Sequence, residues 1–158
     1  KQEPEVIVDK VSAVADFIKS KGGKTALTLH CNDSPEKYMI EWARKYIPDK
    51  LIESTDYCLV SYYEDDNAGY SPDWKSIFEK LGEIFPTSYL GIVECGNTAE
   101  NATHKSKIEM AERYYKMPKY HERFIGGYFW WCWVEDCIPY ENNGIYKAIK
   151  NCMQIPEL

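Results

Sequence analysis

The chain has 158 residues, with 19 Lys plus Arg against 25 Asp plus Glu and a net charge of −6. That length suits one domain over residues 1–158, able to bury roughly 68–70% of its unfolded surface. The absence of a basic stripe excludes nucleic acid and an anionic membrane as expected partners, and 44% hydrophobic with 15% aromatic residues excludes a disordered chain.

Val6–Ser20 repeats Val and Ile at helical spacing and stops at Lys21-Gly22-Gly23, a glycine C-cap signal. A first apolar run follows at 24–30 (KTALTLH). Pro35–Tyr46 then opens with Ser34-Pro35-Glu36, in which Ser can cap, Pro fits the first turn and the acid complements the helix dipole. A second run lies at 56–63 (DYCLVSYY), and Pro72–Phe85 opens with the same signal, Ser71-Pro72-Asp73. A third run at 88–94 (SYLGIVE) leads to a helical pattern over Glu100–Met117. A fourth at 127–133 (GYFWWCW) leads to another over Tyr146–Met153. The four runs are nearly continuous in apolar character, as expected of parallel strands covered on both faces.

Helices alternating with parallel strands predict an α/β fold, either an open doubly wound sheet or part of a β/α barrel. No GxGxxG or GxxxxGK[ST] follows any run, which weakens the phosphate-cradling open sheets. A closed eight-stranded barrel usually needs about 250 residues, so the expectation is four parallel β/α units and not a whole barrel. The longest apolar stretch, Gly126–Val134, is far too short to span a membrane. The six cysteines lie mostly in or beside the apolar runs and show no CxxC spacing, so they read as small buried hydrophobes. No metal site and no cofactor is predicted.

In parallel α/β folds reactive groups gather at the carboxyl ends of the strands. Here those ends read His30-Cys31-Asn32-Asp33, Ser61-Tyr62-Tyr63-Glu64-Asp65-Asp66, Glu94-Cys95-Gly96-Asn97 and Trp130-Trp131-Cys132-Trp133. Glu94 is the most informative of these residues. A carboxylate finishing the apolar run Leu90-Gly91-Ile92-Val93 must reach a solvated cleft or a partner, because burying it alone costs several kcal/mol. Glu64, Asp65, Asp66, Glu135 and Asp136 read as an acidic rim of solvated loop charges.

The segments GIVECG and GGYFWWCW resemble strands seven and eight of the large clan of β/α-barrel retaining glycoside hydrolases, which includes cellulase-, mannanase- and β-galactosidase-like enzymes. The resemblance implies the second half of a (β/α)8 barrel. It makes Glu94 the nucleophile and Trp131 the sugar platform, with Trp130 or Trp133 as the alternative platform. Ser61-Tyr62-Tyr63 resembles the strand-six motif whose Tyr holds the nucleophile, with Ser61 where the family commonly has His. Glu3, in Lys1-Gln2-Glu3-Pro4, matches the position of the acid/base after strand four. His30 and Asn32 would bind sugar hydroxyls.

The resemblance implies a carbohydrate substrate cleaved at a β-glycosidic bond by a two-carboxylate mechanism. It also implies a fragment or shortened relative, inactive as an isolated half. The open sheet edges predict self-association or pairing with a missing N-terminal half. Three other readings compete: a non-catalytic carbohydrate-binding relative, an open flavodoxin-like domain binding a small ligand where the strand order reverses, and, behind both, a thiol enzyme using Cys95 or Cys31. The sequence does not indicate a compartment.

Overall fold

The computed structural model describes residues 3–126 and 128–153. Helix α1 (Pro4–Ser20) begins with proline in its first turn, where the missing N–H costs nothing, and ends before Gly22, whose φ of +74° suits glycine. Strand β1 (Ala26–His30) follows. A π-helical turn over Glu36–Ile40 runs into α2 (Glu41–Tyr46), which together cover the span predicted for one helix. A short helix not anticipated from sequence, α3 (Asp49–Ser54), precedes β2 (Tyr57–Ser61).

Helix α4 (Trp74–Ile84) starts one residue after Asp73, whose carboxylate accepts the Ser76 N–H at 3.1 Å. Asp73 is thus the cap, where sequence pointed to Ser71, because the Pro in between keeps Ser71 outside the first turn. Strand β3 (Tyr89–Gly96) is the longest of the four. Helix α5 (His104–Tyr115) opens with a reciprocal capping box between Thr103 and Ser106. Strand β4 is shorter than expected, Phe129–Trp131, because the chain turns at once into α6 (Trp133–Cys137) before α7 (Gly144–Met153). Gly127, inside the predicted fourth strand, lies outside the described residues.

The strands form one parallel sheet in the order β1-β2-β3-β4. This is the sequential order of a barrel segment, four β/α units equivalent to half of a (β/α)8 barrel. Among the described residues it contains no reversal and so no switch point at which a ligand crevice could form, which overturns the open flavodoxin-like alternative.

Registration sorts the side chains onto two faces, since residues paired across parallel strands point the same way. On the helix-covered face, Leu29 pairs with Val60 and Val60 with Ile92, while Cys95 pairs with Trp130. All five are buried. They pack with Phe78, Leu81, Phe85 and Tyr114 into the main core. Full burial of one such large apolar side chain contributes about 1.5–3 kcal/mol. Phe78 also meets Phe124 edge to face, with ring centroids 4.7 Å apart. On the opposite, concave face lie Thr28, His30, Leu59, Ser61, Gly91, Glu94, Phe129 and Trp131. The exposure of Phe129 (66%) and Trp131 (52%) shows that this face is open.

Among the described residues β1 and β4 each lack a strand on one side. All six cysteines are free. Burial raises the Cys31 and Cys95 thiols to about 12, so neither is a ready nucleophile. Among the described residues no helix is long and apolar enough to cross a membrane.

Candidate active site on the concave face

Glu94 reaches the concave face because of one irregularity. Val60 pairs with Ile92, but the next residue of β2, Ser61, pairs with Glu94. Val93 is therefore an extra residue, and the bulge reverses the alternation beyond it. In an uninterrupted strand Gly91 and Val93 would share the concave face, and Glu94 would point into the helix-covered core. The bulge turns the carboxylate outward to the cleft.

The carboxylate is held there by two neutral donors. Ser61 Oγ donates to Glu94 Oε2 at 3.0 Å, and Tyr63 Oη donates to the same oxygen at 3.3 Å. Burial, followed by the adjacent Glu94 charge, pushes the Tyr63 phenol well above its ordinary value, so it stays protonated and donating. Among the described residues no Lys, Arg or His side chain forms an ion pair with Glu94. The other strand-end carboxylates differ. Glu64 accepts two hydrogen bonds from Arg113 Nη1, at 2.9 and 2.6 Å, and Asp136 is paired with Lys107.

Glu94 opens into a cleft of about 270 Å³ lined by Tyr63, Asp66, Glu94, Thr98 and Trp131. Trp131 is brought beside Glu94 by the β3–β4 pairing, in which Gly96 lies opposite Trp131. A Cβ at Gly96 would fall 2.1 Å from the Trp131 carbonyl oxygen, so only glycine permits this approach. The loops around the cleft are tied together. Asp65 Oδ2 accepts the Thr98 N–H at 3.0 Å and the Thr98 hydroxyl at 2.8 Å, linking the loop after β2 to that after β3. Asn67 donates to the Tyr63 carbonyl at 2.8 Å and accepts the Asp33 N–H at 3.1 Å.

Of the residues singled out from sequence, Glu94, Tyr63 and Trp131 share this cleft. Trp130 does not. It is 3% exposed, and its indole N–H donates to Asp136 Oδ2 at 2.8 Å, because adjacent strand residues face opposite ways. It is a core residue and no sugar platform. Asp136 likewise leaves the acidic rim of solvated charges for the interior, as does Glu64.

Glu3 is exposed immediately before α1 and does not line the cleft. The C-terminal end of α1 is anchored by the 2.6 Å Lys19–Asp56 pair beside the start of β2, so Glu3 lies toward the carboxyl end of the sheet. Gln2, beside it in the sequence, lies outside the described residues.

His30 and Asn32 line a separate cavity of about 260 Å³ with Thr28, Leu29, Tyr38, Met39 and Trp42. His30 is level with Ser61, and Ser61 with Glu94, so two strand spacings, about 10 Å, separate His30 from Glu94. Asn32 Oδ1 accepts the Ser34 N–H at 2.9 Å, a local turn that feeds the helix behind it. Sequence reasoning missed Ser61 as a partner of Glu94, and Asp66 and Thr98 as cleft residues. Their signal was position alone, at or just beyond the ends of β2 and β3. Among the described residues no cluster of His, Cys, Asp and Glu could hold a metal ion.

No protein-family model matches this chain, and no curated protein matches it in sequence. Among solved structures it is similar to a mutant of a GH128 (subgroup I) endo-beta-1,3-glucanase from Amycolatopsis mediterranei, at 12% identity with a TM-score of 0.60. The match covers 92% of this chain and 65% of that protein, so the chain spans about two thirds of its length. At that identity the likeness is one of fold: the sheet and its helices follow a β/α-barrel architecture.

Proposed function

We propose that this chain carries the nucleophile side of a retaining β-glycoside hydrolase site, acting on a β-linked glucan. The observation that carries the reading is the setting of Glu94. It is a carboxylate at a strand end, fixed by two uncharged hydroxyls and free of any cationic partner among the described residues, in a cleft with an exposed indole. A tightly paired cation would compete with the anomeric carbon for the carboxylate oxygens, whereas hydroxyls orient the group without adding a counter-charge. With Oε2 occupied, Oε1 is free to approach an anomeric carbon. Trp131 offers an apolar face to a sugar ring. The β-1,3 linkage named for the structurally similar enzyme makes β-1,3-glucan the first substrate to test.

In this mechanism Glu94 attacks the anomeric carbon while an acid protonates the departing oxygen. The same group then takes a proton from water as the glycosyl-enzyme is hydrolysed. The two carboxyls must stand about 5–5.5 Å apart. The proposed acid/base is Glu3, by its matching position; Asp66, which lines the cleft, is the competing carboxyl. Further β/α units or a second copy against the free edges of β1 and β4 would complete the cleft wall. A monomer by size-exclusion chromatography of the isolated chain, with cooperative unfolding, would count against that need.

The test uses the full-length protein. Glu94→Ala is expected to lower kcat/KM on β-1,3-glucan by about a thousandfold or more, with oligosaccharide binding retained. Azide should restore turnover and yield a glycosyl azide of inverted configuration. Unchanged turnover sinks the proposal. Glu3→Gln and Asp66→Asn identify the acid: the true one loses natural substrate but keeps activated aryl glycosides, whose leaving groups need no proton. A second reading, a non-catalytic carbohydrate-binding relative, is favoured by the absence of Glu3 from the cleft. It predicts binding without turnover in the unaltered protein.

A further inference from the structure

Ser61 occupies the position at which the resembling family commonly has histidine, and the substitution could read as a lost function. Its geometry argues otherwise. Ser61 is the last residue of β2 and pairs directly with Glu94 across the bulge, so both side chains leave the sheet on the concave face at the same level. The serine is 7% exposed, which limits competition from water for its hydroxyl. Its Oγ lies 3.0 Å from Glu94 Oε2, closer than the 3.3 Å of the Tyr63 phenol on the same oxygen.

Resting on the proposed nucleophile role of Glu94, we propose that Ser61 is a positioning residue that, with Tyr63, clamps Oε2 and so presents Oε1 to the sugar. Two donors sharing one oxygen restrict the rotation of the carboxylate about its last bond more than either does alone. The Ser61 hydroxyl is carried by a short side chain on a paired strand, so little conformational freedom is lost in holding it. Tyr63 stands two residues further on, past the strand end, and depends on its loop for placement. The serine is therefore the rigid member of the clamp and the phenol the adaptable one. The bulge at Val93 is required for both, since it brings Glu94 opposite Ser61.

The test is covalent trapping of the full-length protein with a 2-deoxy-2-fluoro-β-glucosyl reagent carrying a good leaving group. The label site is read by peptide mass spectrometry and the rate by its approach to completion. Ser61→Ala should slow the first-order labelling step about tenfold to a hundredfold, the range for a lost hydrogen bond to a charged group. The concentration for half-maximal labelling and the Tm should stay near those of the unaltered protein. Ser61→Thr, which keeps a hydroxyl and suits a strand, should recover most of the rate. A Ser61→Ala protein labelled on Glu94 at the unaltered rate overturns the clamp while leaving the nucleophile reading intact. So does a slowing that Ser61→Thr does not relieve in a protein of normal Tm. Label on a residue other than Glu94, or none in the unaltered protein, overturns the nucleophile reading and the clamp together.

Discussion

Trp130 and Trp131 are joined by one peptide bond, yet they belong to opposite faces of the sheet and to opposite kinds of chemistry. Behind the sheet, Trp130 is buried and donates to Asp136, whose other oxygen accepts from Lys107, so donor, carboxylate and cation form a closed set. In front of it, Trp131 stands half exposed beside Glu94, whose carboxylate is held only by hydroxyls. Both faces carry an indole near a carboxylate. What separates them is the counter-charge. A buried carboxylate paired with a cation that reaches in from the surface is a structural fastener, as Glu64 with Arg113 also illustrates. A carboxylate oriented by neutral donors has no counter-charge competing for its oxygens.

The sharpest way to break this comparison is to remove the acid on the helix-covered side. Asp136→Ala leaves Lys107 and the Trp130 N–H without their partner, and should destabilise the protein by about 3–5 kcal/mol, seen as a lower denaturant midpoint. A loss below about 1 kcal/mol would mean that the network is not the fastener inferred here. Glu94→Ala, by contrast, should barely move that midpoint.

The two indoles offer the next contrast. Trp130→Phe keeps most of the apolar volume but strands one Asp136 oxygen, with an expected cost of about 1–3 kcal/mol of stability and no change in oligosaccharide affinity. Trp131→Ala should do the reverse, weakening β-1,3-gluco-oligosaccharide binding by about 1 kcal/mol or more in calorimetry with stability nearly intact. Interchanged outcomes would reverse the assignment of the two faces.

The smallest effect is one of pH. The Lys19 ammonium, aided by the Thr25 N–H, holds Asp56 below its ordinary value of 3.8. A depressed carboxylate contributes stability that is present above the unfolded-state value and is lost as pH falls through the folded one. Asp56→Asn should therefore flatten the acid side of the stability curve below about pH 4 and leave the neutral range without that contribution. Identical acid limbs for the two proteins would show that the pair does not couple to folding.

Much of the fold was legible because local signals agreed. The Gly22-Gly23 stop, the Ser-Pro-acid openings and the four apolar runs all pointed to alternating helices and parallel strands, and the observed elements follow that order. Short helices α3 and α6 were not legible. Five or six residues hold too little periodicity to stand out, and α6 overlaps the Trp-rich run that reads as strand. Glu94 stood out because an acid closing an apolar run demands an explanation from burial alone. Ser61 did not, since a serine beside two tyrosines carries no such demand.

By itself, the chain's amino-acid order determined where the four strands and the longer helices lie, and that a charged group ends the third strand. Those properties depend on propensity, capping and apolar content within a few residues. Only the tertiary structure decided which way each strand-end side chain points. The Val93 bulge set Glu94 toward the cleft, and strand pairing sent Trp130 inward and Trp131 outward. A nearly continuous apolar strand carries no mark of its two faces, so orientation arises only when neighbouring strands fix its register.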